Sequence, residues 1–174
     1  MKKLKLGVIG LGCRGTRLLE VALACGDAVI TALCDTYEDR VKRAADIVKA
    51  KQSESFGEYS DSEMVINDKN VEAVIVATSW DEHFRLAEKC MRAGKIIATE
   101  VGGACDTDEC WQLVRTYEQT KTPIMMLENC CYDRFELLCT SLARAGKLGE
   151  IVHCHGAYGH DLRNEALGGK VNRH

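Results

Sequence analysis

The sequence has 174 residues, of which 46% are apolar and 28% are charged, and its formal net charge is -3. This composition is typical of globular proteins and excludes collagen-like, disordered and membrane-spanning classes, since no apolar run approaches the roughly 20 residues that cross a bilayer. The slight negative charge and the short, glycine-broken N-terminus MKKLKLGVIGLG predict a cytoplasmic protein with neither nucleic acid nor a membrane as partner.

Short apolar runs rich in Val and Ile recur along the chain, at residues 4–9, 28–34, 73–77, 96–99 and 124–127. Runs of this length suit strands that are buried on both faces of a parallel sheet. Amphipathic segments between them predict helices at residues 15–24, 38–50, 82–93 and 107–119. The alternation predicts the α/β class, as a doubly wound Rossmann parallel sheet.

Residues at the ends of these segments agree with their assignment. Gly94 suits a left-handed helix C-terminus, and Asp106 or Thr107 suits an N-cap. Pro123, the one proline, precedes a predicted strand, where its missing N–H does little harm.

The pattern changes after residue 127. Residues 132–145 predict a helix that Gly146 closes, and residues 150–158 predict a strand; the remaining residues show no further rhythm. We therefore expect a first domain over residues 1–127 and the start of a second, incomplete domain over residues 128–174.

The first predicted strand runs directly into Gly10-Leu11-Gly12-Cys13-Arg14-Gly15, which matches G-x-G-x-x-G. In such a loop Gly10 permits a tight turn, Gly12 lets a diphosphate approach the backbone, and Gly15 packs helix against strand. The N–H groups of the following helix then point at the phosphates. The strand-to-helix context predicts a dinucleotide site.

Asp35 follows Gly15 by twenty residues and ends the second predicted strand. A carboxylate there accepts hydrogen bonds from the adenosine ribose and repels a 2′-phosphate, so the cofactor is predicted to be NAD rather than NADP. The alternative is a turn or cap residue. Arg40 lies nearby, but we expect it on the exposed face of a helix.

Ten cysteines require a disulfide or metal framework to be considered. No Cys-x-x-Cys pair occurs, and the closest spacings are Cys105 to Cys110 and the adjacent Cys130 and Cys131. Most of the others lie in apolar periodic segments, where free cysteine acts as a small hydrophobe: Cys25, Cys34, Cys90, Cys139 and Cys154. We predict reduced thiols and no metal site.

Four further segments carry a family resemblance: ATSWDEH (77–83), TEVGGA (99–104), MMLENCCYDR (125–134) and GEIVHCHGAYGHDLR (149–163). With the glycine loop, they resemble the Gfo/Idh/MocA family over essentially the whole chain. Within that family the chain is most similar to the NAD-dependent glycosidases of glycoside hydrolase family 109, the alpha-N-acetylgalactosaminidases. The resemblance implies an N-terminal Rossmann domain that binds NAD and a C-terminal α+β substrate domain.

The residues Glu100-Val101-Gly102 are the most discriminating. Ordinary dehydrogenases of the family usually carry Glu-Lys-Pro, in which the lysine moves a proton of the substrate hydroxyl. Because Val101 replaces that acid/base group, simple alcohol oxidation becomes less favoured. The glycosidase branch typically shows Glu-Val.

Motif matching implies NAD contacts for Cys13, Arg14, Asp35, Trp80, His83, Glu100, Val101 and Asn129. Trp80 and His83 follow a strand at the carboxyl edge of the sheet, where open α/β folds bind ligands. The alternatives are a packed indole, a solvated helix histidine and, for Asn129, a turn residue.

The resemblance also implies a substrate contact for Tyr158. Tyr132 and His160 lie near the expected domain boundary, where a phenol or imidazole could move protons. The alternative is that Tyr132 is only a half-buried tyrosine and His160 only a surface histidine. Relatives continue beyond His174 into a Tyr-Pro-Thr-His segment with key catalytic residues, so we expect a partial protein.

Three functions follow from the resemblance. The first is a glycosidase that uses NAD to oxidise C3 of a sugar transiently, so that the aglycone is eliminated, water adds and the hydride returns. The second is an NAD-dependent oxidoreductase of a sugar or cyclitol, and the third is a non-catalytic NAD-binding fragment. A sugar or glycoside is the expected substrate, and the full-length parent could form a homo-oligomer.

Overall fold

The structure is a computed structural model that describes residues 2–157, 159, 161 and 163. Its six strands are β1 (Leu4–Ile9), β2 (Ala28–Cys34), β3 (Gly57–Tyr59), β4 (Ala73–Val76), β5 (Ile96–Thr99) and β6 (Ile124–Met126). Its helices are α1 (Cys13–Cys25), α2 (Glu38–Lys49), α3 (Ser62–Asn67), α4 (Trp80–Arg92), α5 (Thr107–Thr120) and α6 (Arg134–Arg144). A short 3₁₀-helix, Asn129–Tyr132, precedes α6.

The strands form one sheet in the order β3-β2-β1-β4-β5-β6, and every neighbouring pair is parallel. The chain runs outward from β1 to β3 on one side and from β4 to β6 on the other. The strand order therefore reverses between β1 and β4, and ligands of doubly wound sheets bind at such a reversal.

Alternate side chains of each strand fill the two faces of the sheet. In β4, Ala73 and Ile75 pack with α1 and α2, whereas Val74 and Val76 pack with α3 and α4. Because successive strand residues point to opposite faces, a strand buried on both sides carries a continuous apolar run.

The predicted helix ends are confirmed. Gly94 adopts a φ of 73° after α4 and Gly146 a φ of 68° after α6. At the start of α5 the Asp106 carboxylate accepts the Glu109 N–H at 2.8 Å. Pro123 directly precedes β6.

The sequence analysis missed β3 and α3. The strand has three residues and pairs only at the edge of the sheet, with β2. The helix has six residues, and its Asp61 N-cap accepts the Glu63 N–H. Elements this short have too few apolar positions to show a periodicity.

The prediction of a strand at 150–158 is wrong for the described residues 150–157, which have no regular structure and are exposed. A strand needs a hydrogen-bonded neighbour, and these residues pair with none in the described part of the chain. The boundary at residues 127 and 128 stays a prediction. It agrees with the exposure of nearly all of α6, including Phe135 and Leu138.

The expectation that cysteines of the apolar segments are packed holds only for Cys34 and Cys90. Cys25, Cys139 and Cys154 are exposed, since they lie at the end of α1, on the open α6 and in the irregular segment. All ten thiols are free in the described part of the chain.

Candidate functional site

A cleft of about 650 Å³ lies at the carboxyl edge of the sheet, where the strand order reverses between β1 and β4. The glycine loop after β1 forms one wall and the segment after β4 forms the opposite wall. Residues that follow β2, β3 and β5 complete the lining, which includes Asp35, Arg40, Ser60, Trp80, His83 and Glu100.

Two glycines of the loop are required by the protein's own backbone. Gly10 has a φ of 91°, and a Cβ atom there would lie 2.4 Å from the Ala77 carbonyl oxygen. A Cβ atom on Gly15 would lie 1.8 Å from the Gly10 carbonyl oxygen. Strand, loop and helix approach so closely that neither position can hold a side chain.

Gly12 differs, because none of the described residues requires a glycine there. Its φ of -66° suits any residue, and a Cβ atom would meet nothing closer than Arg40 Nη1 at 3.7 Å. The position opens on the cleft directly before the first turn of α1, whose N–H groups have no partners within the helix. The space above Gly12 therefore suits an anionic group that approaches the backbone.

Asp35 holds this loop in place. The residue is 7% exposed, and its Oδ2 accepts the Leu11 N–H at 2.7 Å while Oδ1 accepts the Tyr37 N–H at 2.9 Å. Asp35 therefore acts as the turn residue that the sequence offered as an alternative, because it accepts the Tyr37 N–H. Its carboxylate also joins the end of β2 to the glycine loop. Two oxygens offer about four acceptor positions, so capacity remains for a ligand hydroxyl.

Arg40 does not lie on the exposed helix face that the sequence suggested. Its side chain is 14% exposed, and Nη1 lies 3.5 Å from Asp35 Oδ2. The guanidinium also lies 4.7 Å from the centre of the Tyr37 ring. The carboxylate and the aromatic ring draw the cation inward, to the edge of the cleft.

His83 is buried, so the alternative of a solvated helix histidine is wrong. It is 1% exposed, and its Nε2 lies 3.0 Å from the Thr78 carbonyl oxygen. Because a carbonyl only accepts, Nε2 carries the proton, and Nδ1 has no hydrogen-bond partner among the described residues. His83 belongs to the cleft lining, but its Nδ1 atom is itself buried.

Trp80, the first residue of α4, also lines the cleft and is 44% exposed. Its indole covers Gly102, where a Cβ atom would lie 3.0 Å from the ring. The φ of 78° at Gly102 lets the chain after β5 pass under the indole. The packed-indole alternative is therefore partly correct, while part of the ring still faces solvent.

Glu100, Arg14 and Asn129 meet although they come from three parts of the chain. Arg14 Nε lies 2.9 Å from Glu100 Oε1, and Arg14 Nη2 donates to Asn129 Oδ1 at 2.9 Å. The contact with Glu100 is an ion pair rather than a well-aligned hydrogen bond, since Oε1 accepts none from the described residues. Asn129 thus reaches the cleft wall through Arg14, while Val101 lines the cleft directly.

The predicted catalytic residues are less well placed. Tyr132 is 74% exposed, neither half-buried nor part of the cleft lining. Tyr158 and His160 lie outside the described residues. Cys13, by contrast, lines the cleft and is exposed.

Several polar lining residues were not identified from the sequence: Thr36, Tyr37, Ser60, Ser62, Thr78, Ser79 and Glu82. Thr36 and Thr78 could have been found, because each follows a correctly predicted strand. Ser60 and Ser62 follow β3, which was itself missed. Among the described residues, no three His, Cys, Asp or Glu side chains are grouped to hold a metal ion, and no helix has the length and apolarity to cross a membrane.

Cys34 lines the floor of the cleft at the end of β2. Burial and the neighbouring Asp35 charge raise the pKa of its thiol to about 12. The thiol therefore stays protonated and unreactive at neutral pH.

The sequence model of the Gfo/Idh/MocA oxidoreductase family, described as an NAD-binding Rossmann fold, matches residues 4–127. The match confirms the predicted family, the predicted Rossmann fold and NAD as the predicted cofactor. The crystal structure of scyllo-inositol dehydrogenase from Lactobacillus casei with bound NAD(H) and scyllo-inositol aligns with 86% of this chain and 43% of that one, with a TM-score of 0.77. At 18% identity this likeness shows the fold alone.

Two curated relatives are more similar in sequence. A glycosyl hydrolase family 109 protein of Solibacter usitatus is 43% identical over 166 residues. An alpha-N-acetylgalactosaminidase of Bacteroides fragilis is 37% identical over 163 residues. Each alignment covers 92% of this chain and 38% of the relative, so the chain spans about two fifths of the length of these proteins.

The crowding around the loop gives a prediction for stability. Gly15→Ala should lower the free energy of unfolding by roughly 3 kcal/mol or more, because the new methyl group collides with the Gly10 carbonyl. Gly12→Ala should cost less than about 1 kcal/mol, since its Cβ has room. Urea denaturation of both variants measures this. Equal losses would mean that the loop has another shape.

The raised thiol pKa gives a second prediction. Between about pH 7 and about pH 9, iodoacetamide should label the exposed Cys13 of the folded protein but not Cys34, which becomes a thiolate only near pH 12. Peptide mass spectrometry measures both sites, with urea-unfolded protein as the control in which both react. Rapid labelling of Cys34 in the folded protein would contradict its burial.

Proposed function

The chain belongs to the Gfo/Idh/MocA oxidoreductase family, and we propose that its cleft holds NAD as the working cofactor of a glycosidase. The main observation in support of the NAD site is the open space over Gly12. This residue lies between Gly10 and Gly15, two glycines that the protein's own packing requires. A diphosphate is the group that needs such an approach to the backbone, and the first turn of α1 supplies the N–H donors.

We assign the adenosine ribose to Asp35 and the diphosphate to the backbone of Gly10, Gly12, Cys13 and Gly15. The position of Asp35 beside the loop supports this assignment, since its carboxylate accepts the Leu11 N–H at 2.7 Å. One ligand can therefore contact both the loop and the acid.

We assign the nicotinamide half of the cofactor to the opposite end of the cleft. Trp80, Val101 and Glu100 line that end, and Arg14 carries the contact to Asn129. His83 supplies a fixed tautomer, because Nε2–H donates to the Thr78 carbonyl and Nδ1 is left as an acceptor.

NAD, when bound, supplies a reversible acceptor for the hydride at C3 of a sugar. The chain has no lysine beside Glu100: the next residue, Val101, carries no proton that it could transfer, and Glu100 pairs with the Arg14 guanidinium instead. Proton transfer must then come from other groups. Tyr132 and His160 are our candidates for proton transfer, and Tyr158 for substrate contact.

The family 109 relatives favour a glycoside, with an alpha-N-acetylgalactosaminide as the first candidate substrate. A second candidate function is the NAD-dependent oxidation of a sugar or cyclitol. This function is compatible with the fold that the chain shares with the scyllo-inositol dehydrogenase structure. The missing lysine beside Glu100 counts against it.

Cofactor binding gives the first test. Titration calorimetry of the wild type should show saturable NAD binding, and Gly12→Ala should weaken it at least ~10-fold, because the methyl group takes the space of the diphosphate. Thermal unfolding of the same variant is the control for folding. NAD affinity that survives this change would remove the loop from the site.

Activity on a nitrophenyl alpha-N-acetylgalactosaminide tests the reaction in the full-length gene product. A glycosidase of this kind should release nitrophenol only with NAD present, accumulate no NADH and incorporate deuterium from D₂O at C2 of the released sugar. Stoichiometric NADH from free sugars or cyclitols would instead support the oxidoreductase. Saturable NAD binding without either product would leave a non-catalytic NAD-binding protein and refute the glycosidase.

A further inference from the structure

Two adjacent cysteines, Cys130 and Cys131, lie in the 3₁₀-helix Asn129–Tyr132, shortly after the last strand of the sheet. Cys131 is exposed, Cys130 is partly exposed, and both thiols are free. Neither residue belongs to the buried core. Packing in the core therefore does not account for this pair of thiols.

Cys130 is connected to the cleft through Asn129. The Asn129 amide donates from Nδ2 to Cys130 Sγ at 3.7 Å, and its Oδ1 accepts from Arg14 Nη2 at 2.9 Å. Arg14 Nε in turn lies 2.9 Å from Glu100 Oε1. Because Arg14 and Glu100 line the cleft, a continuous series of contacts joins the thiol to the end of the cleft that we assign to the nicotinamide.

The backbone that positions Asn129 is a single helical turn, and Cys130 makes two of the hydrogen bonds that hold it. The Glu128 carboxylate accepts the Cys130 N–H at 3.1 Å, and the Cys130 carbonyl oxygen accepts the Asp133 N–H at 3.2 Å. A change in the backbone at Cys130 therefore disturbs both bonds and moves the neighbouring Asn129.

A disulfide between adjacent cysteines requires such a change. Cα atoms joined by a trans peptide bond are about 3.8 Å apart, whereas Cα atoms of a disulfide usually lie roughly 4.4 to 6.8 Å apart. Closure of the ring therefore distorts the backbone at Cys130 and Cys131 and opens the 3₁₀ turn. A disulfide under this strain is also readily reduced, so the change is reversible.

We propose that Cys130 and Cys131 form a redox modification site, at which a low-molecular-weight disulfide such as glutathione disulfide converts the pair to an intrachain disulfide and withdraws Asn129 from Arg14. The modification lowers the affinity of the cleft for its cofactor. This effect on NAD rests on the proposed function, whereas formation of the disulfide does not.

The exchange takes two steps. The Cys131 thiolate attacks one sulfur of glutathione disulfide, which forms a mixed disulfide and releases one glutathione thiolate. Cys130 then loses its proton to solvent and attacks the Cys131 sulfur, which closes the ring and releases the second glutathione. The two protein thiols lose two electrons, and glutathione disulfide gains them.

The surroundings of the two thiols set the order of these steps. Burial and the nearby charges of Glu128 and Asp133 raise the pKa of the Cys130 thiol. Because the thiolate is the nucleophile and Cys131 is exposed, Cys131 attacks the oxidant first.

The first test is the mass of one peptide. The tryptic peptide 122–134 contains both thiols and no other cysteine. After the folded chain is treated with glutathione disulfide and its remaining thiols are blocked with N-ethylmaleimide, this peptide should have lost two hydrogen atoms, and dithiothreitol should restore them. In Cys130→Ser the reaction should stop at the mixed disulfide on Cys131. A wild-type peptide that stays reduced, or that carries glutathione, would overturn the proposal.

The second test is the NAD affinity, measured by titration calorimetry. Oxidised wild type should bind NAD at least ~5-fold more weakly than reduced wild type, because Asn129 no longer holds Arg14 at the cleft wall. The matched control is Cys130→Ser with Cys131→Ser, which keeps every other thiol, including Cys13 of the cleft. Its affinity should not respond to glutathione disulfide in this way. Equal losses in both proteins would overturn the link between the thiol pair and the cleft.

The outcomes separate this inference from the proposed function. If reduced wild type binds no NAD, the proposed function fails, and the peptide mass still decides whether the pair is a modification site. If reduced wild type binds NAD but the intrachain disulfide does not form, only this inference fails.

Discussion

The packing of Gly15 against the Gly10 carbonyl oxygen is the constraint on which the rest of the site depends. A Cβ atom would have only 1.8 Å to that oxygen, so α1 starts immediately beside the end of β1. This close approach turns the first N–H groups of the helix toward the edge of the sheet and leaves an open position at Gly12. The Asp35 carboxylate then fixes the loop through the Leu11 N–H, which links the region proposed for the diphosphate to the acid proposed for the ribose.

Charge is balanced at both ends of the cleft. At one end Arg40 offsets the buried Asp35, and at the other Arg14 offsets the buried Glu100. Buried carboxylates are stable only when they are paired or hydrogen-bonded, so each arginine contributes to the stability of the site. The two pairs neutralise Asp35 and Glu100, two of the three acids that line the cleft; the third is Glu82.

The sequence was sufficient for the parts of the molecule whose physical signal is local. The doubly wound sheet followed from five apolar runs, and the glycine loop and Asp35 followed from their spacing. Individual side-chain contacts, whether near or far along the chain, left no such signal. The inward turn of Arg40 depends on Asp35 and Tyr37, the burial of His83 depends on the Thr78 carbonyl, and the pairing of Arg14 with Asn129 spans 115 positions. The strand predicted at 150–158 is absent over its described residues 150–157 because an apolar pattern specifies no pairing partner.

A crystal structure from crystals grown at saturating NAD tests the central claim, the NAD site over Gly12, most directly. The account predicts the diphosphate over the Cα atom of Gly12, within hydrogen-bond distance of the first N–H groups of α1, and a ribose hydroxyl on the Asp35 carboxylate. An empty cleft under those conditions, or a diphosphate bound away from Gly12, would contradict it.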